Sequence, residues 1–395
     1  GKALFIFTVV ATIAALPICI WQLKEQHKED HIIAWFVAGV FVMLAVPLSV
    51  WDILQHLMNY HKPMQQTMII RIMWMVPIYA VESWCALRFH NVALYFETAR
   101  EAYEAYVIYC FFTFLTMYLG GEQAVIQLLK TKDEHLRAHI IPGRATCGKY
   151  VCTCDCARAC ASQMFKPWDG GAQFFNKCKF GTLQYVFLKL VSALITVITQ
   201  YNGNFCEGHF TDYACGYPYV MLLANFSQIW AMYCLVMLYH SCLAELKPIR
   251  PLPKFLCIKS VVFFTFWQSV FIAGLNHFGY IPKNFTYWTP EQIVAGLQDF
   301  IICIEMFLAA IAHHYFFNYR DFLTEKGPVK GLMDALIDSS VPTDVVADFR
   351  QQIVGKGTSE TQVTGQGDNY VAAMRRAEEE KRARAATGES KASDV

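Results

Sequence analysis

Long apolar stretches alternate with shorter polar connections along this 395-residue chain. A window of about twenty residues, the length of a helix that crosses a bilayer, identifies eight candidate spans. They lie at about 3–23, 32–53, 67–89, 104–120, 182–201, 218–242, 256–280 and 292–318. The pattern predicts an all-α, polytopic membrane helix bundle.

The first span, with the sequence "ALFIFTVVATIAALPICIW", has two interpretations: a cleaved signal sequence or a retained helix. We favour the retained helix because its apolar stretch is long for a signal core and no small-x-small cleavage site follows it. We therefore assign residues 1–31 to an N-terminal hydrophobic helix with its loop, and residues 32–319 to the membrane domain.

Hydrophobicity falls after the last span. The segments "GLMDALIDSS" and "PTDVVADFRQQIV" predict two short amphipathic helices in a post-membrane region, residues 320–354. Residues 355–395 form a charged segment that we expect to be disordered.

The distribution of Lys and Arg orients the bundle. The connection at 121–180 holds nine of these residues, whereas the connection at 202–217 holds none. By the positive-inside rule, the basic connections and the C-terminus are cytoplasmic. The exterior side then carries Cys206 and Cys215, spaced for a disulfide, and Asn284 in the glycosylation sequon "NFT". Two free cysteines and an unused sequon are the alternatives.

The cytoplasmic connection contains the cysteine-rich string "CGKYVCTCDCARAC". Its spacing differs from the paired C-x-x-C of structural zinc sites, so we favour lipidation over a metal site, with unmodified thiols as the third interpretation. The candidate palmitoylation sites are Cys152, Cys154, Cys156 and Cys160.

Composition narrows the function. The chain is 55% hydrophobic and 16% charged with a net charge of +1, which excludes the basic bias of a nucleic-acid binder. It contains no G-x-S-x-G, H-E-x-x-H, P-loop or G-x-G-x-x-G motif. We therefore expect neither an enzyme nor a bound cofactor.

Two charges interrupt the third span. Arg71 and Glu82 are eleven residues apart, so they share a helix face but lie ~16 Å apart along the axis and cannot neutralise each other. Intramembrane ionisable groups suggest function. We expect Arg71 to meet Glu305 or Asp299, and Glu82 to meet water or a neighbouring hydroxyl.

Polar positions on other spans complete a candidate substrate pathway. Besides Arg71 and Glu82, it comprises Lys189, Lys259, Gln268, Gln298, Asp299 and Glu305. The cations lie toward the cytoplasmic half, where they would attract an organic anion. Two structural alternatives stay open: the cations snorkel to the interface, and Glu305 makes an interior hydrogen bond.

Four long strings carry specific sequence patterns: "RIMWMVPIYAVESW", "AREAYEAYVIYCFFTFLTMYLGGE", "LKPIRPLPKFLCIKSVVFFTFWQSV" and "LQDFIICIEMFLAAIAHHYFF". In this order they resemble signature segments of the organic solute transporter alpha and transmembrane protein 184 family. The similarity covers about residues 32–354, and "VPTDVVADFRQQI" is closer to the transmembrane protein 184 branch.

The resemblance implies a seven-helix core with an exterior N-terminus, to which the first span would add one helix. It also implies facilitated diffusion of steroid or bile-acid-like anions, with a small single-span beta-type subunit and a lipidated cysteine-rich loop. We therefore predict a transporter of amphipathic organic solutes in the plasma membrane or an endomembrane such as the vacuole, in contact with lipids, with a homo-oligomer as a further expectation. The competing hypothesis is a non-transporting seven-helix receptor or trafficking scaffold.

Palmitoylation is directly testable. Acyl exchange on the full-length protein should give a signal that disappears when Cys152, Cys154, Cys156 and Cys160 are all changed to Ser, because the thioester needs their thiols. A signal that survives the four changes would contradict the assignment to this loop.

Overall fold

The computed structural model describes residues 30–89, 92–131, 171–206, 214–277, 290–323, 331–340 and 343–354. These ranges are helical and contain no β-strand. The α-helices, in chain order, are α1 (Asp30–Met58), α2 (Pro63–Met73), α3 (Met75–Arg88), α4 (Ala93–Tyr118), α5 (Glu122–Thr131), α6 (Ala172–Tyr201), α7 (Tyr217–Ser241), α8 (Leu243–Leu246), α9 (Pro251–His277), α10 (Pro290–Phe316), α11 (Leu332–Ser340) and α12 (Thr343–Val354).

Helices occupy the positions of predicted spans two to eight, and the all-α polytopic bundle is confirmed. Among the described residues, five segments are long and apolar enough to cross a membrane, and α4 with α5 adds a sixth if the bent pair is one span. Helix α9 has 27 residues but is not among these segments. The first span, the four loop cysteines, Asn284 and the 355–395 tail lie outside the described residues.

Three helix boundaries differ from the prediction. Helix α4 begins at Ala93 instead of near 104, and helices extend into both ends of the 121–180 connection, as α5 and as the start of α6. Helices α11 and α12 are present at the two segments predicted to be amphipathic. The third span is divided at Trp74, where Pro77 lacks the N–H that would bond to the carbonyl four residues earlier.

The chain forms two compact units. The first comprises the described residues within 1–111, 185–228 and 249–341. In this unit α10 packs against α1, α3 and α9, and α1 packs against α3. A side chain at Gly39 would clash with Trp84, whose ring stacks on Trp35 with centroids 4.9 Å apart. The small residue therefore lets α1 and α3 approach closely.

The second unit comprises the described residues within 112–184, 229–248 and 342–395. Helices α4 and α5 meet there at 71°, across Gly120 and Gly121, whose positive φ angles suit glycine. The buried ammonium group of Lys179 forms ion pairs with Glu122 and with Asp348 of α12, the latter at 2.9 Å. This pairing holds the second post-membrane helix within the unit.

A disulfide joins Cys206 and Cys215 at the end of the connection between α6 and α7, as predicted. The bond closes a loop with a sequence separation of 9. Such a cross-link stabilises the fold mainly by restricting the unfolded chain.

Changing Cys215 to Ser should lower the free energy of unfolding by about 2–3 kcal/mol, because the short loop is no longer closed in the unfolded state. Thermal unfolding of the purified protein in detergent, with and without reductant, measures this loss. Cys85→Ser is the matched control, since Cys85 is a free cysteine. Equal melting of Cys215→Ser and the wild type under oxidising conditions would contradict the prediction.

Candidate functional site

The candidate site centres on one stretch of α4, which we call the charged turn (residues 97–104). It contains Glu97, Arg100, Glu101 and Glu104. Glu97 and Glu101 are four residues apart, as are Arg100 and Glu104, so the two pairs project from adjacent helix faces. The predicted span starts at 104 because these charges reduce the mean hydropathy of the residues before it. The helix nevertheless continues back to Ala93, and its charged side chains meet partners on other helices.

Arg100 connects the charged turn to α3. Its guanidinium donates to Glu82 of α3 at 3.0 Å and to the Ser83 hydroxyl at 3.2 Å, and both charged side chains are 8% exposed. Glu97 lies 3.6 Å away on the same helix. The expectation that Glu82 meets a hydroxyl holds for Ser83, which donates to it at 3.4 Å. Its charged partner, Arg100, was missed.

Glu101 faces α6, where Lys189 donates to it at 2.9 Å. The pair lines a small recess together with three hydroxyl-bearing residues, Thr98, Ser192 and Thr196. The free volume of the recess is about 20 Å³, enough for a water molecule. The buried Ser192 hydroxyl in its wall has no hydrogen-bond partner among the described residues.

Glu104 faces two further helices. Lys259 of α9 donates to it at 3.1 Å, and Gln228 of α7 donates to the same carboxylate oxygen at 3.3 Å. Both members of the ion pair are mostly buried, with side-chain exposures of 15% for Lys259 and 11% for Glu104. Three charged contacts of one helix turn therefore engage α3, α6 and α9, and the neutral amide of Gln228 adds a contact with α7.

Arg71 has different surroundings from those expected. Its side chain donates to the backbone carbonyls of Ser339, at 3.1 Å, and Asp338, at 3.3 Å. These carbonyls belong to the last turn of α11, where a cation complements the helix dipole. Arg71 thus fixes the post-membrane helix, and Tyr103 of α4 donates to its backbone carbonyl at 2.6 Å.

The predicted polar residues of α10 have separate environments. Glu305 accepts a hydrogen bond from Gln268, so these two predicted residues lie together. Asp299 is buried and interacts electrostatically with Arg100. Gln298 is half-buried. The eight predicted positions are therefore spread over several contacts instead of one continuous stripe.

A further group of contacts, not expected from the sequence, lies at the C-terminal ends of α1 and α10. His314 contacts Asp52 at 2.8 Å, and His56 contacts the carbonyl of Phe317 at 2.9 Å. Nearby, Lys254 of α9 donates to Asp321 at 3.0 Å. Within the described ranges, no three His, Cys, Asp or Glu side chains converge in a way that would hold a metal ion.

One signal in the sequence identifies the charged turn. In "YFETAREAYEAY", acidic and basic residues recur every three or four positions beside Tyr and Ala, which is a helical period. A hydropathy average over about twenty residues does not detect this period, because it ignores the spacing of the charges within the window. The ion-pair partners of the charged turn on other helices lie 18 to 155 residues away along the chain and cannot be read from the sequence.

Arg100→Met should lower the free energy of unfolding by about 3–5 kcal/mol, because Glu82 would be left buried without its cation. The double variant Glu82→Gln with Arg100→Met should recover part of that loss, since no uncompensated charge remains. Thermal unfolding in detergent measures both, with Arg88→Met at an exposed position as the control. An Arg100→Met protein as stable as the control would refute the importance of this pair.

The region that contains the charged turn matches a known protein family. Residues 34–322, which include the charged turn and all its partners, match the family described as Organic solute transporter Ostalpha. No solved structure matches the chain.

Three relatives from Arabidopsis thaliana are similar over most of the chain. Protein LAZ1 homolog 1 is 37% identical over 300 residues, covering 75% of this chain and 60% of the relative. Protein LAZ1 is 35% identical over 305 residues (73% and 59%), and Protein LAZ1 homolog 2 is 36% identical over 302 residues (74% and 70%). The chain spans about three fifths of the length of the first two relatives. With this match over the membrane region, the chain belongs to the organic solute transporter Ostalpha family.

Proposed function

We propose that this protein transports amphipathic organic solutes, namely steroid or bile-acid-like anions, through a polar space between its helices. The observation that carries the proposal is the pair of buried cations, Lys189 and Lys259, each held by one carboxylate of the charged turn. They lie on two different helices that converge on one turn of α4. Family membership supports solute transport as the class of function.

The physical argument concerns the exchange of counter-ions. A cation buried in an apolar bundle needs an anionic partner, and a carboxylate or sulfate group of a solute can replace the carboxylate of Glu101 or Glu104. The amphipathic remainder of the solute would then contact apolar helix surfaces. Because the solute anion takes the place of the carboxylate, the lysine keeps an anionic partner while the solute passes.

The recess beside Lys189 explains why movement is needed. Its volume of about 20 Å³ accommodates water but no steroid-sized solute. Solute entry therefore requires the helices that line the recess to separate, on one side of the membrane at a time. This is alternating exposure by facilitated diffusion, with both driving force and direction set by the electrochemical gradient of the anionic solute.

The setting of the transporter rests on the sequence. The basic connections support a cytoplasmic C-terminus, and the plasma membrane and endomembranes are the compartments we propose. A small single-span beta-type subunit is the partner implied by the family resemblance, with self-association as a second arrangement. The transport assay should therefore be run with and without the co-expressed single-span subunit, and at several concentrations of this protein to detect self-association.

A second candidate function is a non-transporting scaffold, favoured by the surface of α11. Its buried face includes Ala335 and Ser339, whereas Leu332, Met333 and Ile337 are exposed. Arg71 holds this helix at the bundle, so its apolar face is presented in a fixed position. A scaffold would depend on that surface and not on the buried ion pairs.

The transport test uses the purified full-length protein in liposomes, with and without a co-expressed single-span subunit. Flux of a steroid conjugate should be at least about 10-fold lower for Lys259→Met, because loss of one charged hydrogen bond to a bound anion corresponds to ~1.5–3 kcal/mol. Lys247→Met, which removes an exposed lysine, is the matched control and should retain flux.

A double variant separates transport from folding. Changing Glu104 to Gln together with Lys259 to Met removes both charges, so this contact leaves no unpaired carboxylate behind and the variant should fold. We expect this variant to reconstitute normally and still lack flux. Wild-type flux in the double variant would show that the pair is structural, and no flux from the wild type under any condition would favour the scaffold.

A further inference from the structure

The contact between Gln268 of α9 and Glu305 of α10 leaves a specific hydrogen-bonding deficit. The amide nitrogen Nε2 of Gln268 donates to Oε1 of Glu305. The two remaining oxygens, Gln268 Oε1 and Glu305 Oε2, are buried and have no hydrogen-bond partner among the described residues. Two adjacent acceptors therefore lack a donor.

The depth of the pair makes this deficit severe. Glu305 lies 15 residues after Pro290 and 11 residues before Phe316, the two ends of α10. At 1.5 Å per residue these separations are ~22 Å and ~17 Å, which places the carboxyl group near the bilayer centre. An ionised carboxylate at that depth is unfavourable unless a cation compensates it.

The charged groups on the helices packed around α10 have other partners. On α3, Glu82 pairs with Arg100; on α1, Asp52 contacts His314 and His56 contacts a backbone carbonyl. On α9, Lys254 pairs with Asp321 and Lys259 with Glu104. Of the other titratable side chains described on these helices, Tyr79 on α3, Cys257 on α9, and Asp299, Cys303 and His313 on α10 are buried, whereas Cys85 and Arg88 on α3 and Tyr315 on α10 are more exposed.

We propose that Glu305 binds a proton and forms a cyclic carboxylic acid–amide pair with Gln268. In this pair Gln268 donates through Nε2–H to Glu305 Oε1, and Glu305 donates through Oε2–H to Gln268 Oε1. One proton thus gives both acceptors a donor and removes the uncompensated charge. The ligand of this site is the proton itself, and the site lies apart from the ion pairs of the charged turn.

Release of the proton would change the contact between two helices. When the O–H bond of Glu305 breaks and the proton passes to water, Oε2 becomes an anionic acceptor facing the amide oxygen of Gln268. One hydrogen bond is lost and two acceptors repel each other. The pair is therefore a proton-dependent link between α9 and α10.

Infrared spectroscopy of the full-length protein in lipid tests the protonation state directly. At neutral pH the wild type should show the carbonyl stretch of a protonated carboxyl group, separate from carboxylate bands. Glu305→Gln should lose one component of that band, while Asp334→Asn, which removes an exposed carboxylate, should retain it. The measurement requires no transport, so it is independent of the proposed function.

Two results would overturn the proposal: no protonated-carboxyl band in the wild type, or a band that is unchanged in Glu305→Gln. Gln268→Leu provides a second measurement that keeps the acid and removes its amide partner. The band should then shift to higher frequency as the hydrogen bond to the carbonyl is lost. An unchanged frequency in Gln268→Leu would refute the pairing of Glu305 with Gln268.

Discussion

The cost of placing charges inside an apolar helix bundle is the constraint on which this structure depends. The charged turn of α4 meets that cost by pairing Arg100 with Glu82, Glu101 with Lys189 and Glu104 with Lys259. These pairs join α4 to three other helices within the first unit. Removing Arg100 leaves the buried carboxylate of Glu82 without its cation, and removing Glu101 leaves the buried ammonium group of Lys189 without its anion. Such a loss costs far more than the pair contributes when complete.

Two other contacts stabilise ionisable side chains inside the helix bundle. Arg71 donates to the terminal carbonyls of α11, so partial charges of the backbone help to compensate its guanidinium. Glu305 has an amide partner and no cation among the described residues, which is the setting in which a carboxyl group retains its proton. Each of these contacts couples a membrane helix to a different neighbour.

In the proposed transport cycle, the pairs of the charged turn and the Gln268–Glu305 contact would act at different stages. An organic anion would exchange with Glu101 or Glu104, which keeps the number of charges balanced. A change at Glu305 instead alters the link between α9 and α10, without contact with the solute. Infrared and flux measurements address these two events separately, because the first reports a proton and the second a solute.

The sequence by itself determined the helical, polytopic architecture, the Cys206–Cys215 disulfide and the family, because hydropathy, cysteine spacing and long signature strings are local properties of the chain. It also identified Lys189, Lys259 and Glu305 as unusual. The partners came only from the tertiary structure: Glu101 lies 88 residues from Lys189, and Ser339 lies 268 residues from Arg71. Helix packing decides which side chains meet over such separations. Averaging the hydropathy over a membrane span also conceals the charged turn, whose side chains pair with Lys189 and Lys259.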